Sequence, residues 1–386
     1  MTDTILVFLV TRIGSWNVIS RNPAYYANIM SSFFGATASG LIASSVMYLL
    51  QTNVQKSTKD KSHGRAKTTI KKTNKRSSRS QNKFPDEHRF ILLIQVLTSI
   101  ITGLLHSLQP LAWQYSVTAE VFALHNFFVA LISHTAIRFS IYGTKKLLLL
   151  GSFICGLALT NQHTSILLVA PISVWVFTLT KLQQQALLFF QVVLFFLLGL
   201  FPVYVTLPYF ATYFPHHGSW GDVTTLYGFL NHVRRKDYGT LRLFSGNDDG
   251  SEGLLPRLKL WCQDFSVQQI NPLLFICFVL GCKIVVCQGP FQRSFAKELN
   301  SKNKILNNMT SVTVLEEGKR MRVGKLLFIS LLFYLVVFHS LANLPLSNPL
   351  FFGIHQVCQI FYVKNDLLLG RLSISLKVGK THAILF

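Results

Sequence analysis

Apolar residues in this chain neither alternate nor recur at a simple helical spacing over most of its length. They run in blocks. The clearest blocks are Tyr26 to Leu50, Phe90 to Leu111, Val121 to Phe139, Ala186 to Leu207, Ile270 to Cys287 and Leu326 to Leu341. Each approaches or exceeds the roughly 18 to 20 residues that carry a helix across a ~30 Å hydrocarbon core. Two further runs, Leu147 to Thr160 and Thr164 to Leu179, are predicted as a tight helical pair broken by the polar triplet Asn161, Gln162, His163. Irregular backbone at membrane depth survives only where protein or water satisfies it, so that interruption marks a place worth following. The pattern predicts an all-α membrane protein: a polytopic bundle of about eight transmembrane helices.

Composition agrees, because half of the 386 residues are hydrophobic, only 13% are charged, and the mean hydropathy is +0.39. Lipid is the solvent such a balance implies. The formal charge of +22 would suit a nucleic-acid binder, but its basic residues lie in loops between spans. That distribution points to membrane topology and excludes nucleic acid as a partner. Residues 51 to 89 hold twelve Lys or Arg against three acids, and residues 288 to 325 hold eight against three. The segment from Pro208 to Gln268 carries six of each. The positive-inside rule therefore predicts that the first two loops are cytosolic and the third luminal.

These boundaries divide the chain into a leading remnant (1–23), a span (24–50), a basic cytosolic insertion (51–89), a helix bundle (90–207) and a luminal loop (208–268). A span (269–287), a second basic loop (288–325), another span (326–342) and an atypical tail (343–386) follow. Residues around Lys71, Lys72, Lys75, Arg76 and Arg79, rich in Ser and Thr, read as a disordered insertion rather than a nuclear signal. The apolar run Ile5 to Val10 is too short to span and lacks a cleavage pattern, so no typical secretory signal precedes the first span.

Several kinds of site find no support. Cys277, Cys282 and Cys287 recur every five residues, which is not zinc spacing, and Cys155 sits within an apolar run, so neither a disulfide framework nor a metal is expected. The sequon Asn308-Met309-Thr310 falls in a loop assigned to the cytosol and is predicted to stay unmodified. Paired glycosidase carboxylates, a Gly-rich phosphate loop, a Ser/His/Asp order and HExxH are not evident.

Polar groups at span ends are the remaining candidates, and three places qualify. In the first, Trp113 to Asn126, Glu120 opens an inbound span where a helix N-terminus favours a carboxylate. A helix cap with an aromatic belt would look the same. The second is Asn161-Gln162-His163, whose amides and imidazole suit a phosphate or sugar hydroxyls, with an ordinary polar turn as the alternative. The third is Ser219-Trp220-Gly221-Asp222 with Tyr238-Gly239-Thr240 downstream, an indole beside a carboxylate of the kind that stacks a sugar face. A structured loop needs the same residues. A broken hairpin is also a transporter device, which keeps a transporter or lipid carrier open. Against it, the two halves show no inverted repeat and no acidic or basic residue stands at the centre of a predicted span.

Taken in order, these segments resemble the transmembrane protein 260 family of multi-pass protein O-mannosyltransferases. The resemblance rests on WQYSVTAEVFALHNFF (Trp113 to Phe128), GLALTNQHTSILL (Gly156 to Leu168), GLFPVYVTLP (Gly199 to Pro208) and SWGDVTTLYGFLNHVRRKDYGT (Ser219 to Thr240). It extends more weakly to NLPLSNPLFFG (Asn343 to Gly353). The resemblance implies a bundle similar to the GT-C class of glycosyltransferases, in the endoplasmic reticulum membrane. It implies transfer of mannose from dolichyl phosphate mannose to Ser or Thr of IPT domains in plexin-type and growth-factor-receptor-type proteins. No metal or other cofactor is implied; the partners are membrane lipid, a polyprenyl phosphate sugar and luminal IPT-domain proteins. By motif, Glu120 and Asp222 become candidates for catalysis, and Asn161, Gln162, His163, Trp220 and Tyr238 for donor or acceptor binding. The family also carries a GGDSGEL-type acidic motif in its first luminal loop, where such enzymes place the catalytic acid, and this sequence does not contain it. The expectation is therefore an incomplete copy, truncated at both ends, with residual activity and a non-catalytic scaffold both open.

Overall fold

The computed structural model describes residues 23–50, 84–118, 121–180, 185–214, 222–234, 236, 253–269, 276, 279 and 307–341. Among these residues the chain is helical, with no strand. Ten α-helices are used here: α1 (Pro23–Leu50), α2 (Phe84–Ser107), α3 (Pro110–Ser116), α4 (Val121–Tyr142), α5 (Lys145–Asn161), α6 (Ile166–Thr180), α7 (Ala186–Tyr213), α8 (Leu226–Val233), α9 (Leu254–Asp264) and α10 (Asn307–Leu341). A 3-10 turn, His163–Ser165, joins α5 to α6, and a π turn, Phe265–Gln269, continues α9. Helices are what apolar blocks of this length must form, since a helix satisfies its own backbone groups where no water can.

Among the described residues, five helical segments are long and apolar enough to cross a bilayer: Tyr25–Leu50, Val121–Tyr142, His163–Thr180, Ala186–Tyr213 and Arg322–Leu341. A sixth arises if the bent pair Leu92–Ser107 and Pro110–Ser116 counts as one span. The sequence predicts an unbroken run from Phe90 to Leu111, whereas the chain bends there by 68°. Pro110 explains the bend: it lacks an N–H, and it drives Gln109 into extended geometry at φ −66°, ψ 133°. Helix α5, at 17 residues, is shorter than the other spans. The expected span Ile270 to Cys287, apart from Ile276 and Val279, and the basic insertion around 51 to 83 lie outside the described residues, as does the tail after Leu341.

Helix α4 is the hub. In its most apolar stretch 78% of residues are buried, against 6% in α7, so α4 faces protein all round while α7 turns mostly outward. Its partners α1, α5, α6 and α10 surround it. The core joins Leu124, Phe128, Ile132 and Ala136 of α4 to Ile154 and Ala158 of α5, Leu168 and Ile172 of α6, and Leu327 and Tyr334 of α10. Along α1, Ala38, Ile42, Val46 and Leu50 recur every fourth residue and are buried, one face meeting Ala130 of α4.

Helix α5 lies antiparallel to α4 after a short reversal in which Gly143 adopts φ 61°, a left-handed geometry that suits glycine. It lies parallel to α7, as the contacts Ser152 with Val192, Gly156 with Gly199, and His163 with Tyr204 advance together along both strands of chain. The approach of α5 to α7 is as close as backbones allow. A Cβ at Gly156 would collide with the Phe196 carbonyl oxygen, and one at Gly199 with the Phe153 carbonyl oxygen. Small residues at such a crossing supply packing that apolar surface cannot, because lipid tails are as apolar as the helix. Ser152 adds a bond from its hydroxyl to the Val192 carbonyl, 2.6 Å.

Candidate functional site

The first turn of α4, the last turn of α5, the 3-10 turn and the start of α6 meet at one end of the bundle. Their meeting follows from the reversal at Gly143 and the break at Gln162, whose backbone is extended at φ −140°, ψ 123°. Asn161 is buried at the end of α5, and its Nδ2 donates to the Val121 carbonyl at the start of α4, 3.3 Å away. One turn along α4, His125 is 2% exposed and its Nδ1 lies 3.3 Å from Ser165 Oγ on the 3-10 turn. Ser165 Oγ also reaches the Ala158 carbonyl of α5 at 3.2 Å. Two bonds to α4 and one to α5 therefore fix the polar break.

The next residue pair extends this junction to α7. Half-buried His163 places Nε2 3.2 Å from the hydroxyl of Tyr204, a buried residue of α7. The Tyr204 ring stands edge-on to Phe229 of α8, with centroids 6.4 Å apart. Through Asn161 to Val121, His163 to Tyr204 and Tyr204 to Phe229, the four ordered sequence segments singled out above come into direct contact. Gln162, also half-buried, accepts a bond from Thr164 Oγ1 at 3.3 Å.

The Asp222 region is built differently. Asp222 is exposed, and its Oδ1 accepts from the Thr224 backbone N–H at 3.0 Å and from the Thr224 hydroxyl. These two bonds, the side-chain one first, hold its carboxyl below the ordinary value of 3.8. Thr225 then caps α8 by accepting from the Gly228 N–H at 3.1 Å. Gly228 has no room for a side chain, because a Cβ would strike the Asp222 carbonyl. This turn is thus folded onto the start of α8, and α8 is tied to the bundle through Phe229 and Tyr204.

Of the sequence candidates, Asn161, Gln162 and His163 stand at the junction, and Asp222 stands on the turn that leads into α8. Glu120, Trp220 and Tyr238 lie outside the described residues. The expectation that Asn161 offers an amide donor to a ligand meets a different arrangement, for its Nδ2 is engaged by Val121 and its buried Oδ1 is the atom without a partner among the described residues. Three residues that hydropathy could not select complete the wiring: His125, Ser165 and Tyr204. Histidine in an apolar run is the one signal that was available. His106 and His134 repeat it, each buried with Nδ1 against a serine of α1, Ser39 at 3.0 Å and Ser45 at 3.1 Å. Among the described residues no group of three or more His, Cys, Asp or Glu could hold a metal ion.

Comparison with known proteins covers the α4 to α6 part of this site in its family match. Residues 5–186 match the family described as the Protein O-mannosyl-transferase TMEM260 N-terminal domain. A protein O-mannosyl-transferase TMEM260 of Mus musculus is 30% identical over 296 residues, covering 74% of this chain and 37% of the relative. A protein O-mannosyl-transferase tmem260 of Dictyostelium discoideum is 26% identical over 270 residues, covering 66% of this chain and 30% of the relative. The chain thus spans about a third of the length of these curated relatives. No solved structure matches it.

Proposed function

The chain belongs to the TMEM260 family of protein O-mannosyl-transferases, and from that premise we propose that it takes part in transfer of mannose from a polyprenyl phosphate donor, dolichyl phosphate mannose, to Ser or Thr of IPT domains in plexin-type and growth-factor-receptor-type proteins. The observation that carries this reading is the convergence of the four family-like segments on one polar junction at the end of an otherwise apolar bundle. In chemical terms, the acceptor hydroxyl attacks the anomeric carbon, its proton passes to a carboxylate, and the phosphate leaves with the bonding pair. Glu120 and Asp222 are the carboxylates assigned to that base role. Of these, Asp222 is held ionised by Thr224, with Oδ1 engaged there and Oδ2 the oxygen assigned to the acceptor proton. Gln162 and His163, half-exposed at the hairpin, take the polar end of the donor, and Trp220 and Tyr238 are assigned to the acceptor or sugar face.

A second observation supports a lipid-borne donor. Between α4, α5, α6 and α7 lies a cavity of about 290 Å³ lined by Phe139, Phe177, Phe189 and Phe196 among other apolar groups. Two of its three hydroxyls are already engaged, Thr135 with the Leu131 carbonyl and Ser152 with the Val192 carbonyl, Ser173 being the third, and the rest of the lining is apolar, so the space suits hydrocarbon. The junction is assigned to the lumen of the endoplasmic reticulum, and a GT-C-like architecture follows from the same reading.

Two experiments test it. The chain, expressed in cells lacking the endogenous activity, should restore O-mannose on an IPT domain mapped by mass spectrometry; an unmodified domain would sink the proposal. A tag placed in residues 51 to 89 should be cut by cytosolic protease in intact microsomes. Protection of the tag would reverse the orientation.

A further inference from the structure

Among the described residues, the junction between α4 and α5 is left with two buried acceptors and no donor for them. Ser165 has one hydroxyl hydrogen, and its bond to the Ala158 carbonyl uses it. His125 Nδ1 must then be the donor in its contact with Ser165 Oγ, which leaves His125 Nε2 as a bare lone pair. That atom is buried and has no partner among the described residues. Asn161 Oδ1 is in the same state, because Nδ2 of the same amide is committed to the Val121 carbonyl. The two residues are neighbours across the start of α4, Asn161 through Val121 and His125 through Ser165. Val121, whose carbonyl Asn161 binds, and His125 are four residues apart on a single face of α4, about 6 Å along the axis.

A buried acceptor without a donor destabilises the fold, so two on adjoining helices are a standing demand for hydrogen-bond donors. The demand has a definite chemistry. A phosphate at neutral pH brings oxygens and charge, which lone pairs repel, whereas a hydroxyl-bearing group brings the hydrogens that are missing. We propose that His125 Nε2 and Asn161 Oδ1 form a paired acceptor subsite for two hydroxyls of the mannosyl group. This rests on the donor reading above and sharpens it: the sugar is read at α4 and α5, and the half-exposed side chains of Gln162 and His163 beside Asn161 form the approach to it.

The test measures binding to the full chain in lipid nanodiscs, with dolichyl phosphate mannose and dolichyl phosphate as the two probes. The wild type should prefer the mannosylated lipid. His125→Phe keeps the ring and removes the acceptor, so it should reduce that preference about tenfold while binding dolichyl phosphate as the wild type does. His125→Gln, whose amide oxygen restores an acceptor, should recover most of the preference. Should the Phe variant not fold, Asn161→Leu reads the same pair from the other helix and should give the same loss. An unchanged preference in the folded variants would mean that only a water sits between the two atoms, and would overturn this inference alone. Binding of neither lipid to the wild type would overturn the donor reading and this inference with it.

Discussion

The hairpin junction and the Asp222 turn carry similar chemistry, a carboxamide or carboxylate beside hydroxyls, but they spend it over different distances. At the junction, the bonds of Asn161, Ser165 and His163 reach partners 40 or 41 residues away on other helices. At the turn, Asp222 bonds to Thr224, two residues on, in the open. The first region therefore exists only when α4, α5 and α7 are assembled, and it is buried. The second is a local turn and cap that short-range hydrogen bonding builds by itself. Polar residues at a membrane boundary can thus be wired into tertiary structure or merely terminate a helix, and partner distance separates the two.

Breaking the assembly should have the largest effect. Gly156→Leu forces a side chain into the Phe196 carbonyl and should part α5 from α7, costing about 3 kcal/mol or more. Loss of monodisperse protein after mild heating in detergent, with intact Asp222-turn proteolysis, is the expected pattern. His163→Ala removes the bridge to Tyr204 and should lower mannose transfer roughly tenfold without lowering membrane insertion, as read by product mass and glycosylation tagging. Tyr204→Phe keeps the ring that meets Phe229 and removes only the hydroxyl, so a loss of about 1 kcal/mol, or a severalfold fall in transfer, should follow.

Asp222→Asn should do least to folding, because the amide oxygen still accepts from Thr224. Its effect on transfer decides the base. If Asp222 takes the acceptor proton, the Asn variant falls further in transfer than His163→Ala, and equal activity in both variants removes both from the site. The turn also has a pH signature. Its carboxyl is held below 3.8, so its contribution is complete above that value and is lost as pH falls through the lower folded-state value. Protease cleavage near α8 should rise only in that acid range, and Thr224→Val should move the rise to higher pH.

Much of this was legible in the chain. Block length predicted helices because a lipid-embedded backbone has no other way to satisfy itself, and the family resemblance held. The polar triplet Asn161 to His163 predicted the break between α5 and α6, since three polar residues in an apolar run need partners. The bend at Gln109 was present in the sequence as Pro110 but hidden inside an apolar run, where hydropathy outweighed it. Tyr204 and Ser165 were not separable from their neighbours by composition at all.

What the sequence determined by itself is the material: helical, lipid-solvated, basic in its loops, with its candidate site residues at a few span ends. Those properties follow from the solvation of each residue and its near neighbours. Only the tertiary structure decided which polar atoms find partners. Val121 claims the Asn161 amide and Ser165 claims His125 Nδ1 because the reversal at Gly143 and the break at Gln162 bring residues forty apart within hydrogen-bond reach. The lone pairs left over, and so the chemistry offered to a ligand, are a remainder that no reading of local pattern could compute.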